Sequence, residues 1–460
     1  MGDIPVRETL KTRLGFLLLA ASCAVGLGNV WRFPFIAGLY GGASFVLVYL
    51  IFLVILGLPL MVMELSVGRA ARQNIGKAFK TLQPKGTYWN IYGHIGIGGN
   101  YLLMMFYTTV TGWILAYFFS SLKGDLAGLS PGEIQEYFSG MLTDPVGMTF
   151  WMILSVVIGF VVTGIGLRRG VERVSKFMML SLLFLMIALA VNAITLDGAS
   201  EGLAFYLLPD FGRMMEQGAG AVILAAMGQA FFTLSIGMGG MAIFGSYIGK
   251  ERSLPGESVR IVGLDASVAI MSGLIIFPAS FAFGVSPDAG PGLLFVTLPN
   301  IFNQMAGGYF WATVFFLFMS FAALSTVIAI LENIVSYWID VWGWTRRRAS
   351  WVNCIALIIL SMPTVLGFNV LSDIQPLGEG SNILELEDML VSTTIIPIGA
   401  LIFVLFTTTR YGWGWKRFIA EANTGTGLKF PLVVRFYVTW ILPLIIIAVL
   451  ISGYWELLKS

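Results

Sequence analysis

Apolar residues in this chain fall in long runs with little of the spacing that would mark one buried helix face or an alternating strand. Windows of 18 or more predominantly apolar residues lie at about 13–38, 42–68, 88–121, 148–167, 174–196, 219–248, 259–285, 309–339, 351–370, 387–408 and 434–456. Each is long enough for a helix to cross a hydrocarbon core of about 30 Å, so the pattern predicts eleven transmembrane helices. Polar residues gather between the runs, and basic ones favour every second gap. Of the 27 Lys and Arg, 23 lie before the first run, in the second, fourth, sixth, eighth and tenth gaps, or within the first three residues of a run that borders one of these regions. Lys123, Arg213 and Lys459 lie on the other side, and Arg32 lies inside the first run. The positive-inside bias puts the amino terminus in the cytoplasm and, with eleven spans, the carboxyl terminus outside. The first run follows Arg7, Lys11 and Arg13 but lacks a small-residue cleavage site, so it is read as retained.

Composition sharpens this reading. Of 460 residues, 57% are hydrophobic and 11% charged, well below the roughly 25% charged of a soluble domain. The expectation is one multi-pass transmembrane domain over 1–460 in a plasma membrane, a prokaryotic inner membrane given the short termini and absent glycosylation sequon. A net charge of +2 suggests no nucleic-acid partner, and the bilayer is the predicted surrounding. Cys23 and Cys354 sit in separate runs, His94 is the single histidine, and no GxxxxGK[ST] loop is present. Metal-dependent or ATP-driven catalysis and an organic cofactor are therefore not expected. Rings of like charge or repeated filters, the marks of a channel, are also missing.

Two runs carry residues a plain lipid-spanning helix would not use. The first is interrupted by AVGLGN (Ala24–Asn29) and the sixth by TLSIGMGG (Thr233–Gly240). Glycine costs a helix interior about 1 kcal/mol, and an opened turn at mid-membrane persists only where its amides and carbonyls line a protein cavity. Close helix packing through small residues is the competing reading. The breaks begin two successive sets of five helices, 13–196 and 219–408, with 434–456 left over, which favours an inverted-repeat transporter whose substrate binds at the breaks.

AVGLGNVWRFP, GLPLMVMELSVGR (Gly57–Arg69) and GQAFFTLSIGMGG (Gly228–Gly240) closely resemble the neurotransmitter:sodium symporter family, whose bacterial members are amino-acid transporters of the LeuT fold. The resemblance covers nearly the whole chain and implies an all-α membrane protein with a 5+5 inverted repeat. It implies two sodium ions. The first would be held by the Ala24 carbonyl, Asn29, Thr233, Asp265 and the substrate carboxylate. The second would be held by the carbonyls of Ser22, Val25 and Ala322 with the hydroxyls of Ser325 and Thr326. A hard cation suits such oxygen ligands. Chloride-requiring relatives tend to have Asn at the position of Asp265 and Ser one turn later; here Asp265 is followed by Ala269, so Asp265 is expected to supply the negative charge and make transport chloride-independent.

The same resemblance assigns the substrate pocket to Cys23, Ala24, Gly26, Gly28, Leu103, Tyr107, Phe232, Thr233, Ser235, Met238, Thr326 and Ile330. Amine-transporting relatives have Asp at the place of Gly26; glycine there leaves room for an α-carboxylate, and the mostly apolar side chains suit a neutral, hydrophobic α-amino acid. A betaine, taurine or another osmolyte or amine stands as the alternative. Arg32 is expected to face Asp388 in the outer gate, with Glu387 as a competitor, and Arg7 to face Asp340 in the inner one. Leu10 stands where relatives usually have Trp. The small-molecule substrate is the expected partner, with the oligomeric state left open.

Overall fold

A computed structural model of the chain describes residues 8–10, 12–285 and 292–457. Its apolar helical segments are α1 (Arg13–Ala24), α2 (Gly28–Leu39), α3 (Ala43–Ala71), α4 (Asn90–Lys123), α5 (Pro145–Ile165) and α6 (Leu167–Ile194) in the first half. They continue as α7 (Ala219–Thr233), α8 (Gly240–Tyr247), α9 (Leu254–Ala282), α10 (Gly308–Trp342), α11 (Arg346–Leu366), α12 (Ile383–Thr408) and α13 (Leu432–Trp455). Among the described residues nine helices are long and apolar enough to cross a membrane, or ten if α1 and α2 are one span bent by 59°. The run predicted at 219–248 is divided into helices of 15 and 8 residues, each too short to cross alone.

Both predicted interruptions are breaks in helical structure. At the first, Val25 is extended and Ala24 ends α1; at the second, residues 234–239 form turns and bends, with Ser235, Gly237 and Gly239 at φ of 48°, 112° and 83°. Left-handed conformations of this kind end a helix, and two of the three fall on glycine, which alone adopts them freely. The connection between Lys123 and Pro145 is organised by a helix, Pro131–Thr143. Ser130 and Glu133 form a reciprocal capping box at its start.

Helices that are apolar all round show no inward face in their sequence, so the arrangement must be read from burial. In the most apolar windows of α10 and α4, 83% and 78% of residues are buried, against 28% in α13. Thus α10 and α4 form the interior and α13 lies at the periphery. The broken α1 packs against α10 and α9. α3 and α8 meet backbone to backbone: a Cβ on either Gly68 or Gly245 would run into the backbone carbonyl of Ala242 or Leu65. Polar side chains in these interior helices, including Asn29, Glu64, Asn100, Asp265, Glu332 and Asn333, are buried. Intramembrane polar groups of this kind cluster at functional sites.

Candidate functional site

The first break is held from three sides. Its Leu27 N–H donates to the Tyr107 hydroxyl of α4 at 3.2 Å, and Gln229 of α7 donates to the Gly28 carbonyl at 3.1 Å. Ser272 of α9 donates to the Asn29 carbonyl at 2.7 Å. Within the break, the Gly26 N–H donates to Asn29 Oδ1 at 3.1 Å. Three other helices thus take up the backbone groups that unwinding releases, as a dry interior requires.

On one side of this break stand three of the side chains expected around the first ion. Asn29 Nδ2 donates to Asp265 Oδ1 at 2.8 Å and to the Asp265 carbonyl at 3.1 Å. The Thr233 hydroxyl lies 3.2 and 3.3 Å from the two Asp265 carboxylate oxygens. All three residues are buried, and among the described residues no basic side chain is in ion-pair range of Asp265. Such a carboxylate, enclosed by neutral oxygens and an amide, is suited to a small cation as counter-charge.

On the other side of the break, Thr326 of α10 gathers the oxygens expected around the second ion. Its hydroxyl lies 3.1 Å from the Ser22 carbonyl oxygen, 2.9 Å from that of Val25 and 3.3 Å from that of Ala322. Ser325 donates back to the Ala322 carbonyl at 3.0 Å. The unwinding at Val25 frees carbonyls at the end of α1, and Thr326 and Ala322, one turn apart, present oxygens to them. All five expected residues are therefore neighbours, across helices separated by about 300 residues of chain.

The expected pocket residues divide into two groups. Gly26, Gly28, Tyr107, Phe232 and Thr326 are packed together: a Cβ on Gly26 would lie 2.6 Å from the Tyr107 hydroxyl and 2.7 Å from Thr326 Oγ1, and one on Gly28 would lie 2.9 Å from the Phe232 ring. The space beside Gly26, expected to admit a carboxylate, is taken by these two hydroxyls. Its glycine is required by their close approach. Leu103 is buried one turn before Tyr107 on the same helix. In the second group, Cys23 Sγ and Ile330 would be 2.9 and 3.9 Å from a Cβ on Gly240, while the Met238 sulfur would be 3.2 Å from one on Gly99 of α4. Ala24 is the last residue of α1, and half-buried Ser235 is the left-handed residue of the second break.

Tyr107 and Phe232 also line a cavity of about 220 Å³, together with Gly28, Trp31, Arg32, Leu384 and Asp388. The Arg32 guanidinium stacks over the Phe232 ring, 4.2 Å from its centroid, and its Nη1 is buried without a hydrogen-bond partner. Arg32 and Asp388 share this cavity without a direct ion pair. Glu387, the expected competitor, instead accepts from Thr364 of α11 at 2.6 Å. Asp340, expected at the inner gate, accepts from the Asn74 N–H at 2.6 Å, at the start of the helix Ile75–Leu82. Arg7 lies outside the described residues.

Sequence reasoning missed what holds the second break. Glu64 of α3 accepts the N–H groups of Gly237, Met241 and Ala242 at 2.7, 2.9 and 3.4 Å. The Gly237 carbonyl accepts from Tyr92 at 2.9 Å, and that of Met238 accepts from Asn100 and Asn333 at 2.8 and 3.4 Å. A lone carboxylate in the apolar stretch GLPLMVMELSVGR was the available signal, since an intramembrane acid needs a partner. Basic residues near the charged ends of the spans are also tied: Arg346 to Glu332 at 2.6 Å, Arg13 to Glu257 at 2.8 Å and Arg69 to Glu421 at 2.6 Å.

Residues 7–133 and 136–459 match the sodium:neurotransmitter symporter family. An uncharacterized sodium-dependent transporter of Bacillus subtilis is 34% identical over 443 residues, covering 96% of each chain. Another, from Haemophilus influenzae, is 30% identical, covering 97% of this chain and 98% of that one. The crystal structure of MhsT in complex with L-phenylalanine superposes with a TM-score of 0.87 at 38% identity, covering 97% of this chain and all of that one. An all-helical architecture, two broken spans with buried oxygen clusters and these matches lead to one conclusion: the chain belongs to the sodium:neurotransmitter symporter family, as a multi-pass sodium-coupled transporter of the LeuT fold and not an enzyme.

Proposed function

We propose that the protein imports a neutral, apolar α-amino acid together with two sodium ions, by alternating access and without chloride. The observation that carries this reading is the buried carboxylate of Asp265, joined to Asn29 and Thr233 beside the first break with no basic partner among the described residues. Its negative charge offsets that of one sodium ion, which removes the electrostatic need for an added anion. Asn29 and Thr233 would complete that ion's surroundings with the Ala24 carbonyl and the substrate carboxylate. The Thr326 hydroxyl, Ser325 and the carbonyls of Ser22, Val25 and Ala322 would hold the second ion. Sharing the first ion with the substrate carboxylate couples the two movements.

The substrate would lie between the breaks, with Tyr107 and Phe232 closing over it and Arg32 and Asp388 narrowing the vestibule above. Since Tyr107 and Thr326 fill the space beside Gly26, carboxylate binding requires the Tyr107 hydroxyl to turn toward the ligand while the Leu27 amide is released to it. The chemical class is supported by the apolar lining and by MhsT, solved with L-phenylalanine. Each sodium ion entering gains about 2.3 kcal/mol per 100 mV and about 1.4 kcal/mol per tenfold gradient. Two ions under both forces supply about 7 kcal/mol, or roughly five decades of accumulation.

Uptake of labelled leucine, methionine, alanine, phenylalanine and tryptophan into proteoliposomes tests the reading, with inward sodium or potassium gradients and chloride or gluconate as anion. Accumulation of at least one of them with sodium alone, unchanged in gluconate, is expected. Loss of uptake in gluconate would overturn chloride independence. Sodium-driven uptake of betaine or taurine, and of none of the five, would replace the amino acid with an osmolyte.

A further inference from the structure

A second cavity, of about 340 Å³, lies away from the transport path, between α5 and α11. Its walls are Val157, Val161, Gly164 and Ile165 on α5 and Arg347, Ser350, Trp351 and Cys354 on α11. These positions recur every three or four residues, so each helix contributes one face. Val157, Val161, Ile165 and Trp351 are exposed, so the groove opens on the outer surface of the bundle, where hydrocarbon surrounds it.

The groove is polar at one end only. α5 runs toward its basic interface and α11 starts from it, so Gly164, Ile165, Arg347 and Ser350 lie near the headgroups. Val157 and Cys354 lie deeper. From Val157 to Ile165 the face runs about 12 Å along the helix. Exposed Trp342 and Trp351 place this end at the membrane interface, where tryptophan concentrates. Three consecutive arginines occur here, and two are engaged: Arg346 with Glu332 at 2.6 Å, and Arg348 over the Trp344 ring at 4.4 Å. Arg347 pairs with no acid among the described residues and lines the groove. Ser350, one turn deeper, is 5% exposed, and its hydroxyl has no hydrogen-bond partner.

We propose that this groove is a binding site for one anionic phospholipid from the leaflet that carries the basic residues. Its phosphate pairs with Arg347, the Ser350 hydroxyl donates to an oxygen of the phosphate or glycerol ester, and one acyl chain lies along the α5 and α11 faces. Charge complementarity and the order of polar and apolar groups along the groove both fit a phospholipid entering headgroup outermost.

Native mass spectrometry of the full-length protein, equilibrated with equimolar phosphatidylglycerol and phosphatidylethanolamine, tests this. One phosphatidylglycerol should be retained preferentially, and Arg347→Gln should reduce that preference about fivefold, as expected for one arginine at an anionic surface. Gly164→Leu, which extends a side chain into the groove, should lower retention of both lipids. Arg348→Gln should leave the preference intact, with sodium-driven uptake confirming that each variant is folded. Equal retention of the two lipids by the unaltered protein would overturn the proposal. So would an equal loss of preference in Arg347→Gln and Arg348→Gln, which would mark diffuse surface charge, or unchanged retention in Gly164→Leu.

Discussion

Replacing Asp265 by Asn removes one charge and little volume, and it isolates the electrostatic contribution at the proposed first ion. The Asp265 carboxylate lies 2.8 Å from Asn29 Nδ2 and within 3.3 Å of the Thr233 hydroxyl. An ion shared by these side chains therefore sits about 4 Å or less from the carboxylate charge. At that distance two unit charges interact by about 4 kcal/mol at an effective dielectric of roughly 20, and by about 2 kcal/mol at roughly 40 if vestibule water penetrates. These correspond to about 1000-fold and about 30-fold in sodium affinity, respectively. The assay is substrate binding titrated with sodium in gluconate, comparing Asp265→Asn with the unaltered protein. Half-saturating sodium should rise at least 30-fold in the variant, while the unaltered protein gives the same value in chloride and gluconate. A shift smaller than threefold in gluconate would refute the assignment of Asp265 to the ion, whatever happened to transport.

Two further substitutions test how the breaks are built. Glu64→Gln replaces an acceptor of three N–H groups at the second break with a side chain whose amide nitrogen cannot accept them; a loss of about 2 kcal/mol or more is expected, read as a lower Tm in detergent, and an unchanged Tm would contradict it. Gly26→Ala introduces a Cβ at 2.6 Å from the Tyr107 hydroxyl and 2.7 Å from Thr326 Oγ1. The overpacking costs about 1–3 kcal/mol, so substrate and sodium affinity should fall roughly 5- to 150-fold, and near-normal titrations would show that these hydroxyls move freely.

Much of the site is legible in the chain because its signals are local. Glycines within an apolar run mark where a helix opens, and Asn29 and Asp265 stand out because polar side chains at that depth require a reason. The resemblance of GLGNVWRFP and its neighbours to a known family then singles out Thr233, Thr326 and the expected carbonyl ligands, and in the structure Thr233 lies beside Asp265 and Thr326 beside the Ser22, Val25 and Ala322 carbonyls. Glu64 belongs to a motif just as visible, yet its role is not legible: the Gly237 amide it accepts lies 173 residues away. Arg32 had two candidate acids. Only the packing of α12 against α11, which turns Glu387 toward Thr364, separates them and leaves Asp388 in the cavity with Arg32.

Hydrophobic run length, charge bias and glycine placement act within a few turns of chain, and so they mark the apolar runs, the places where helices are interrupted and the residue types suited to a cation, but not the number of spans: eleven runs stand against nine helices, or ten, long enough to cross among the described residues. Inward faces are a different matter, because helices apolar on every side carry no stripe that tells protein from lipid. The three-dimensional arrangement therefore assigns α4 and α10 to the interior and makes Tyr92, Asn100 and Asn333 the partners of an unwound backbone. It also gives Gly26 its reason, the approach of two hydroxyls from α4 and α10, since such contacts exist only once segments distant in sequence have packed.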